Sequence, residues 1–236
     1  MYTSFYAAAR GVMAQQQRLD ITANNLANIS NYGYKTKSAS FSDLMYYNLN
    51  NKNGQDTDMK AGTGVRIGQV NTDFTPSPYT ETGGIYDYAI ENQGFFRMIN
   101  PTSGEITYTR NGHFSLSQQG NQFYLVNDAG NRVSDQNGNP ITVTNGRFSG
   151  EIGVYTFNVK DGMLSVGNNE FAPTENNGEA VLVQDAKVVA HALEVSGVNM
   201  AEEMTKVIES QRAYSYALKM VQTSDEIVTT VNSLRQ

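Results

Sequence analysis

Residues 199–236 read NMAEEMTKVIESQRAYSYALKMVQTSDEIVTTVNSLRQ, and from Ala201 onward they contain neither Gly nor Pro. Val207, Tyr214, Val221 and Val228 fall seven residues apart. A seven-residue apolar repeat draws a narrow stripe along one helix face, and such a stripe seeks a partner helix. Asn199 is placed to cap the start. Glu202, three residues on, suggests a capping box, and Glu203 adds a first-turn charge that suits the helix dipole. As one helix, residues 201–236 would run ~54 Å at 1.5 Å per residue. Ile208, Leu218, Ile227, Val231 and Leu234 widen the apolar surface beyond a two-helix seam.

The partner stripe lies at the other end of the chain. Phe5, Val12, Leu19 and Leu26 repeat at the same spacing within residues 2 to about 29, a run rich in Ala and Gln. Asn24, Asn25 and Asn28 crowd its end, and Gly33 offers a stop just after Asn31. The termini are therefore expected to meet in one coiled-coil layer. Two helices with narrow stripes bury little surface against the entropy of ordering them, so further partners are expected.

Between these ends the pattern changes twice. Phe41, Leu44, Met45, Tyr46 and Tyr47 form a short apolar cluster, and residues 48–64 are polar and rich in Gly, Asn and Asp. That stretch reads as a long loop or arm ordered by neighbours. Beyond it come short β-prone runs at Ile85–Glu91, Phe95–Ile99, Glu105–Thr109, His113–Ser117, Gln122–Val126, Ile152–Val159, Met163–Val166, Ala180–Val183 and Lys187–Leu193. Asn111-Gly112, Asn137-Gly138, Asn145-Gly146, Asp161-Gly162 and Asn177-Gly178 supply turn residues. The expected fold is mixed α and β: a discontinuous terminal coiled-coil domain (1–35 and 197–236), an extended arm (36–80), and a central antiparallel all-β domain (81–196).

Composition narrows the function. The chain has 236 residues, no Cys and a net charge of -6. No disulfide or thiolate-metal site is possible, and the acidic balance disfavours nucleic acid. No run approaches ~20 apolar residues, so no membrane span is expected. No basic segment precedes an apolar run at the start, so no cleavable signal peptide is expected.

Catalytic patterns are missing. His113 and His191 have no metal-ligand spacing around them and read as strand-surface residues. Gly62-Thr63-Gly64-Val65-Arg66-Ile67-Gly68 has its last gap one residue too long for a dinucleotide fingerprint. Asp135-Gln136-Asn137-Gly138-Asn139 misplaces its Gly for a calcium loop and reads as a hairpin turn. Asn28-Ile29-Ser30 matches a glycosylation sequon by chance at a helix end. The expectation is a protein that is not an enzyme and needs no cofactor or metal.

Taken in order, several motifs resemble the rod and hook family of bacterial flagellar axial proteins. They are Ala23-Asn24-Asn25-Leu26-Ala27-Asn28 with Asn31-Tyr32-Gly33-Tyr34-Lys35, then Asp87-Tyr88-Ala89-Ile90-Glu91-Asn92-Gln93-Gly94-Phe95-Phe96. Tyr108-Thr109-Arg110-Asn111-Gly112, Ser196-Gly197-Val198-Asn199-Met200-Ala201-Glu202-Glu203 and Gln211-Arg212-Ala213-Tyr214 follow. Gly62-Thr63-Gly64-Val65 is similar to a motif of the distal rod group. The family pattern has Gly at Asn92 and Asn at Gly197, exchanges between the two residue types that best tolerate a left-handed backbone.

The resemblance implies a helical homopolymer with terminal helices inside and the β domain outside. It implies contacts with other rod and hook proteins, the type III export apparatus, and a surrounding bushing or cell-wall layer. It also implies a basal-body location outside the cytoplasmic membrane, reached without a cleaved signal, and a mechanical role carrying torque. The assembly residues would be Phe5, Val12, Leu19, Leu26, Val207, Tyr214, Leu218, Val221 and Val228. Alternatives within the family are a hook or proximal rod subunit. From a different class, a stand-alone β-rich adhesin or cell-wall-binding module remains open.

Overall fold

The computed structural model describes residues 2–48, 60–144 and 147–234. Asn145-Gly146 and residues 49–59 of the expected arm lie outside the described residues. The chain divides into two compact units. One comprises Met1–Ala27, Lys37–Asn71 and Asn199–Gln236, and the other Asn28–Thr36 and Thr72–Val198.

The first unit is built on helix α1 (Tyr2–Ala27) and helix α2 (Met200–Ser233). The Asn199 side chain caps α2 by accepting from the N–H groups of Ala201 and Glu202. The reciprocal half of the expected capping box goes elsewhere: the Glu202 carboxylate meets Lys206 one turn on, at 2.9 Å. Residues expected as an arm supply strands instead. Lys37–Asp43 pairs with Val65–Thr72, and Tyr46–Asn48 with Lys60–Gly62. Ser38, Ser40 and Ser42 in the first of these strands and Gly68 in its partner mask the pattern. The reason is spatial: a Cβ on Gly68 would lie 3.0 Å from that of Ser42.

The second unit is antiparallel β, with an 11-stranded sheet among the described residues. Phe95–Ile99 sits at its centre and pairs with Ile106–Thr109, Arg132–Val133 and Val154–Thr156. Strand pleating sends successive side chains to opposite faces. Phe96 and Met98 therefore enter one core with Ile90, Phe114, Leu125, Val133, Ile141 and Val154. Phe95 enters a second core with Tyr108, Tyr155, Phe157, Met163 and Phe171. Edge-to-face ring pairs knit both, with centroids 4.8 Å apart for Tyr108–Phe157 and 5.2 Å for Phe96–Phe114.

Three local expectations change. Lys187–Leu193 is two strands, not one. His191 at φ 58° breaks it, so Val188–Ala190 pairs with Tyr88–Ile90 while Ala192–Glu194 pairs with Tyr79–Glu81. Asn177-Gly178 closes a 3₁₀ turn in which the Asn177 amide donates to the carbonyls of Val159 and Asp161. Gly112 is needed for close approach: a Cβ there would lie 1.6 Å from the Tyr88 carbonyl oxygen.

Candidate assembly face

Helix α1 follows from its Ala and Gln content and α2 from the absence of breakers, and within the first unit the two run antiparallel. Three contacts fix the alignment. Asn25 Nδ2 donates to Glu203 Oε2 at 3.1 Å, Arg18 Nη2 to Glu209 Oε2 at 3.3 Å, and a Cβ on Gly11 would stand 3.9 Å from the Cβ of Ala217. As the position rises along α1 its partner falls along α2.

On α2 Glu203, Val207, Ser210, Tyr214, Ala217, Val221, Ser224 and Val228 are all buried or half-buried, with Lys206 and Ala213 half-buried beside them. The eight follow a 4-3 alternation, the seam of a coiled coil. The expected repeat of Val207, Tyr214, Val221 and Val228 is one of its two layers. The other layer is small or polar, which is why an apolar count alone passes over it.

Helix α1 lines its side of the seam differently. Ala7, Gly11, Ala14, Arg18, Ile21 and Asn25 follow the same spacing from the contact points, and Ala14 and Asn25 are almost fully buried, as is Thr22 beside that line. The apolar repeat of Phe5, Val12, Leu19 and Leu26 lies one residue further on, about 100° round the helix. Val12, Leu19 and Leu26 are half-buried and Phe5 is 38% exposed. The two apolar heptads therefore do not form one seam. Small side chains let the helices close on each other, and the α1 heptad occupies the shoulder.

More apolar surface stays uncovered on α2. Met204, Ile208, Leu218, Met220, Ile227, Val231 and Leu234 are all exposed, Ile208 and Ile227 by about half. At 100° per residue Met204, Ile208 and Leu218 fall on one side of α2 and Met220, Ile227, Val231 and Leu234 on the other, two exposed apolar patches that mark interaction surfaces.

One polar cluster ties the first unit together. The Asn25 amide donates to the Lys37 carbonyl at 2.8 Å and accepts from the Lys37 N–H at 3.0 Å, while also holding Glu203. Glu203 is 2% exposed, and its other oxygen accepts from Lys206 at 2.8 Å. Thus Asn25 and Glu203, 178 positions apart, are one contact. Asn24 is exposed beside them.

The second unit has its own polar centre, which sequence reading did not single out. Lys35, Arg110 and Glu194 have side chains only 1% exposed. Lys35 Nζ donates to Glu194 Oε1 at 2.7 Å and to the Thr75 carbonyl at 2.6 Å. Arg110 Nε donates to Glu194 Oε2, and its remaining fork reaches the carbonyls of Asn92, Gly94 and Ile90. The Ser77 N–H also donates to Glu194. Burial pushes the Lys35 ammonium below the ordinary lysine range, against the pull of Glu194.

The other motif residues of this unit gather round that centre. Gly33, at φ 67°, donates its N–H to the Glu194 carbonyl, and a Cβ there would lie 2.5 Å from Asn111 N. Gly94, at φ 147°, leaves room for Val154, whose Cγ1 would stand 2.4 Å from an added Cβ. Phe95 and Phe96 begin the two cores, and Asn28 accepts from Asn31 at 2.6 Å.

The two departures from the family pattern resolve differently than expected. Neither Asn92 nor Gly197 has a positive φ. Both act through backbone: the Asn92 carbonyl serves Arg110, and Gly197 donates to the Tyr34 carbonyl. The signal for the centre was faint: Lys35 and Arg110 each sit within a family motif, and Glu194 ends an otherwise apolar strand.

Comparison with known proteins agrees with this arrangement of motifs. Residues 5–35 match the family described as flagella basal body rod protein. Residues 89–170 match the flagellar hook protein FlgE/F/G D1 domain, and residues 189–234 the flagellar basal body rod FlgEFG protein C-terminal family. The chain is 30% identical to flagellar basal-body rod protein FlgG of Buchnera aphidicola subsp. Acyrthosiphon pisum, over 99% of this chain and 100% of that protein. It is 33% identical to FlgF of Caulobacter vibrioides, over 96% and 95%, and 29% identical to FlgG of the same organism, over 97% of each. With its three motif blocks in order along nearly the whole of these relatives, the chain belongs to the FlgG/FlgF family of flagellar basal-body rod proteins.

Proposed function

We propose that this protein is a structural subunit of the bacterial flagellar basal-body rod, polymerising helically into a stiff shaft that carries torque from motor to hook. The observation that carries the reading is the exposed apolar surface on two sides of α2, Met204, Ile208 and Leu218 on one and Met220, Ile227, Val231 and Leu234 on the other, which α1 leaves to other partners. Heterologous contacts that do not close into a ring build a helical filament from one surface repeated. The first unit then lies inside, with its apolar rows against neighbouring copies, and the second unit faces outward. Partners are other copies of this chain, other rod and hook proteins, the type III export apparatus, and the bushing or cell-wall layer around the rod. The role is mechanical, with no catalytic step.

The test uses residues already exposed in the single chain. Leu218→Asp and Ile227→Asp leave the α1–α2 seam untouched, so each variant keeps its circular dichroism spectrum. Filament formation by purified protein and motility of a complemented deletion strain are expected to be lost. Normal assembly of both variants sinks the reading.

A further inference from the structure

The second unit carries an open groove of about 560 Å³ lined by Asn28, Asn31, Asn111, Asn127, Asn168 and Asn169, with Ser30, Tyr32, Thr109, His113, Asp128 and Ala129. Small ligands occupy cavities of roughly 300–1,000 Å³, usually apolar ones. Here the lining is amide and hydroxyl. We propose that this groove binds a neutral, hydroxyl-rich ligand: a short run of sugar units in a glycan chain.

The chemistry of the lining excludes the other classes. Ala129 and Tyr32 are the only residues lining it without an amide, aliphatic hydroxyl, carboxyl or imidazole group, so polar surface predominates and an apolar ligand is poorly matched. No Lys or Arg lines it, so an anion finds no countercharge. Among the described residues no group of three or more His, Asp or Glu could hold a metal. The core of a protein interface is enriched in aromatic, Met and Arg side chains, which this groove lacks apart from Tyr32. Side-chain amides present donor and acceptor side by side, the pattern vicinal hydroxyls match.

Several walls are set in place before any ligand arrives. Asn127 Oδ1 accepts from the N–H groups of Ala129 and Asn131, and its Nδ2 donates to the buried Glu170. Asn169 Nδ2 donates to the Tyr32 carbonyl at 3.2 Å, joining the two rims. His113 Nδ1 lies 3.3 Å from Asp128 Oδ1, and Asn111 Oδ1 accepts from the His113 N–H. Left over among the described residues are His113 Nε2, Asn111 Nδ2 and the whole Asn168 amide, which makes no side-chain hydrogen bond. The Tyr32 ring, 40% exposed, offers a face for the C–H side of a pyranose. Asn168 and Asn169, at φ 50° and 59°, form the two-residue loop between paired Gly167 and Glu170. That is type I′ geometry, which Gly also satisfies.

The experiment titrates the isotopically labelled full chain with tetra-N-acetylchitotetraose and with maltotetraose. Side-chain amide and imidazole resonances are followed at protein concentrations too dilute for polymerisation. At least one sugar is expected to give saturable shifts at Asn111, Asn168 and His113, with α1 and α2 unmoved. Asn168→Gly keeps the left-handed loop and removes the amide, so affinity should fall about tenfold. Absence of saturable shifts with both sugars overturns the proposal, as does unchanged affinity in the variant. So do groove shifts that appear on raising protein concentration without sugar, since a second copy is then the occupant. Sugar binding is read apart from polymerisation, so either proposal can fail alone.

Discussion

The seam between α1 and α2 and the paired cores of the β unit solve the same problem by opposite means. In the seam the small residues Gly11 and Ala217 face each other, and the apolar heptad of α1 stands on the shoulder. In the β unit Phe95, Phe96, Met98 and Leu125 are almost wholly buried, and the three charges at its centre have their partners inside. The β unit closes two cores around its large side chains, though Ile85, Leu164 and Val166 stay exposed. The helical unit is closed along one line and open on either side of it. A subunit that polymerises as proposed gains from that division, because the apolar surface left for neighbouring copies is not needed to hold the single chain together.

The comparison breaks most visibly at Glu194. Glu194→Gln keeps the shape but strands Lys35 and Arg110 as buried cations without a counterion. Removing one partner from a buried charge cluster costs about 3–5 kcal/mol. Chemical denaturation read by hydrogen exchange should show that loss across 72–198. An effect below about 1 kcal/mol would mean the cluster is not the anchor of that unit.

A smaller effect is expected at the seam, with a change of sign that tests its geometry. Gly11→Ala fits the 3.9 Å space and should stabilise the helix pair by about 1 kcal/mol through helix propensity. Gly11→Leu overfills the same space and should cost about 1–3 kcal/mol. Thermal melts of both variants by circular dichroism decide it. If Leu were tolerated as well as Ala, the helices would not be closing on small residues.

The smallest effect separates the two units by pH. Burial lowers the Lys35 pKa from 10.5, so the folded protein binds fewer protons than the unfolded chain in the window just below that value. Stability contributed through Lys35 therefore rises as pH climbs from its folded pKa to 10.5. Lys206 runs the other way. Partial burial pulls its ammonium down, but hydrogen bonds to Glu203 and Glu202 outweigh it and raise the pKa. Its contribution is fully present below 10.5 and is lost as pH rises through the folded pKa. Lysine side-chain NMR should see Lys35 titrate at lower pH than Lys206. Coincident titration of the two would refute the contrast.

Much of this was legible along the chain, for reasons that differ by element. Helix α2 declares itself through 3.6-residue periodicity and the absence of Gly and Pro, and Asn199 marks its start as the cap geometry bears out. Phe95–Ile99 and Gln122–Val126 emerge as strands with the bounds expected, because aromatic and aliphatic residues fill them and turn residues stand close by. Strands within 37–72 were hidden by Ser and Gly, whose use depends on what packs opposite. The break at His191 was equally hidden. It records a change of strand partner, which no local pattern encodes.

The sequence alone determined the two terminal helices, the β character between them, the α2 heptad and the order of motifs that places the chain in its family. Local propensity and periodicity write those features residue by residue. Only the tertiary structure decided that the α1 heptad lies off the seam, since the rotation of one helix against another is set by which side chains are small enough to touch. It alone also joined Asn25 to Glu203, and Lys35 to Arg110 and Glu194. Each of these is a pairing across tens to hundreds of positions, and a buried polar group acquires its meaning only from the partner that satisfies it.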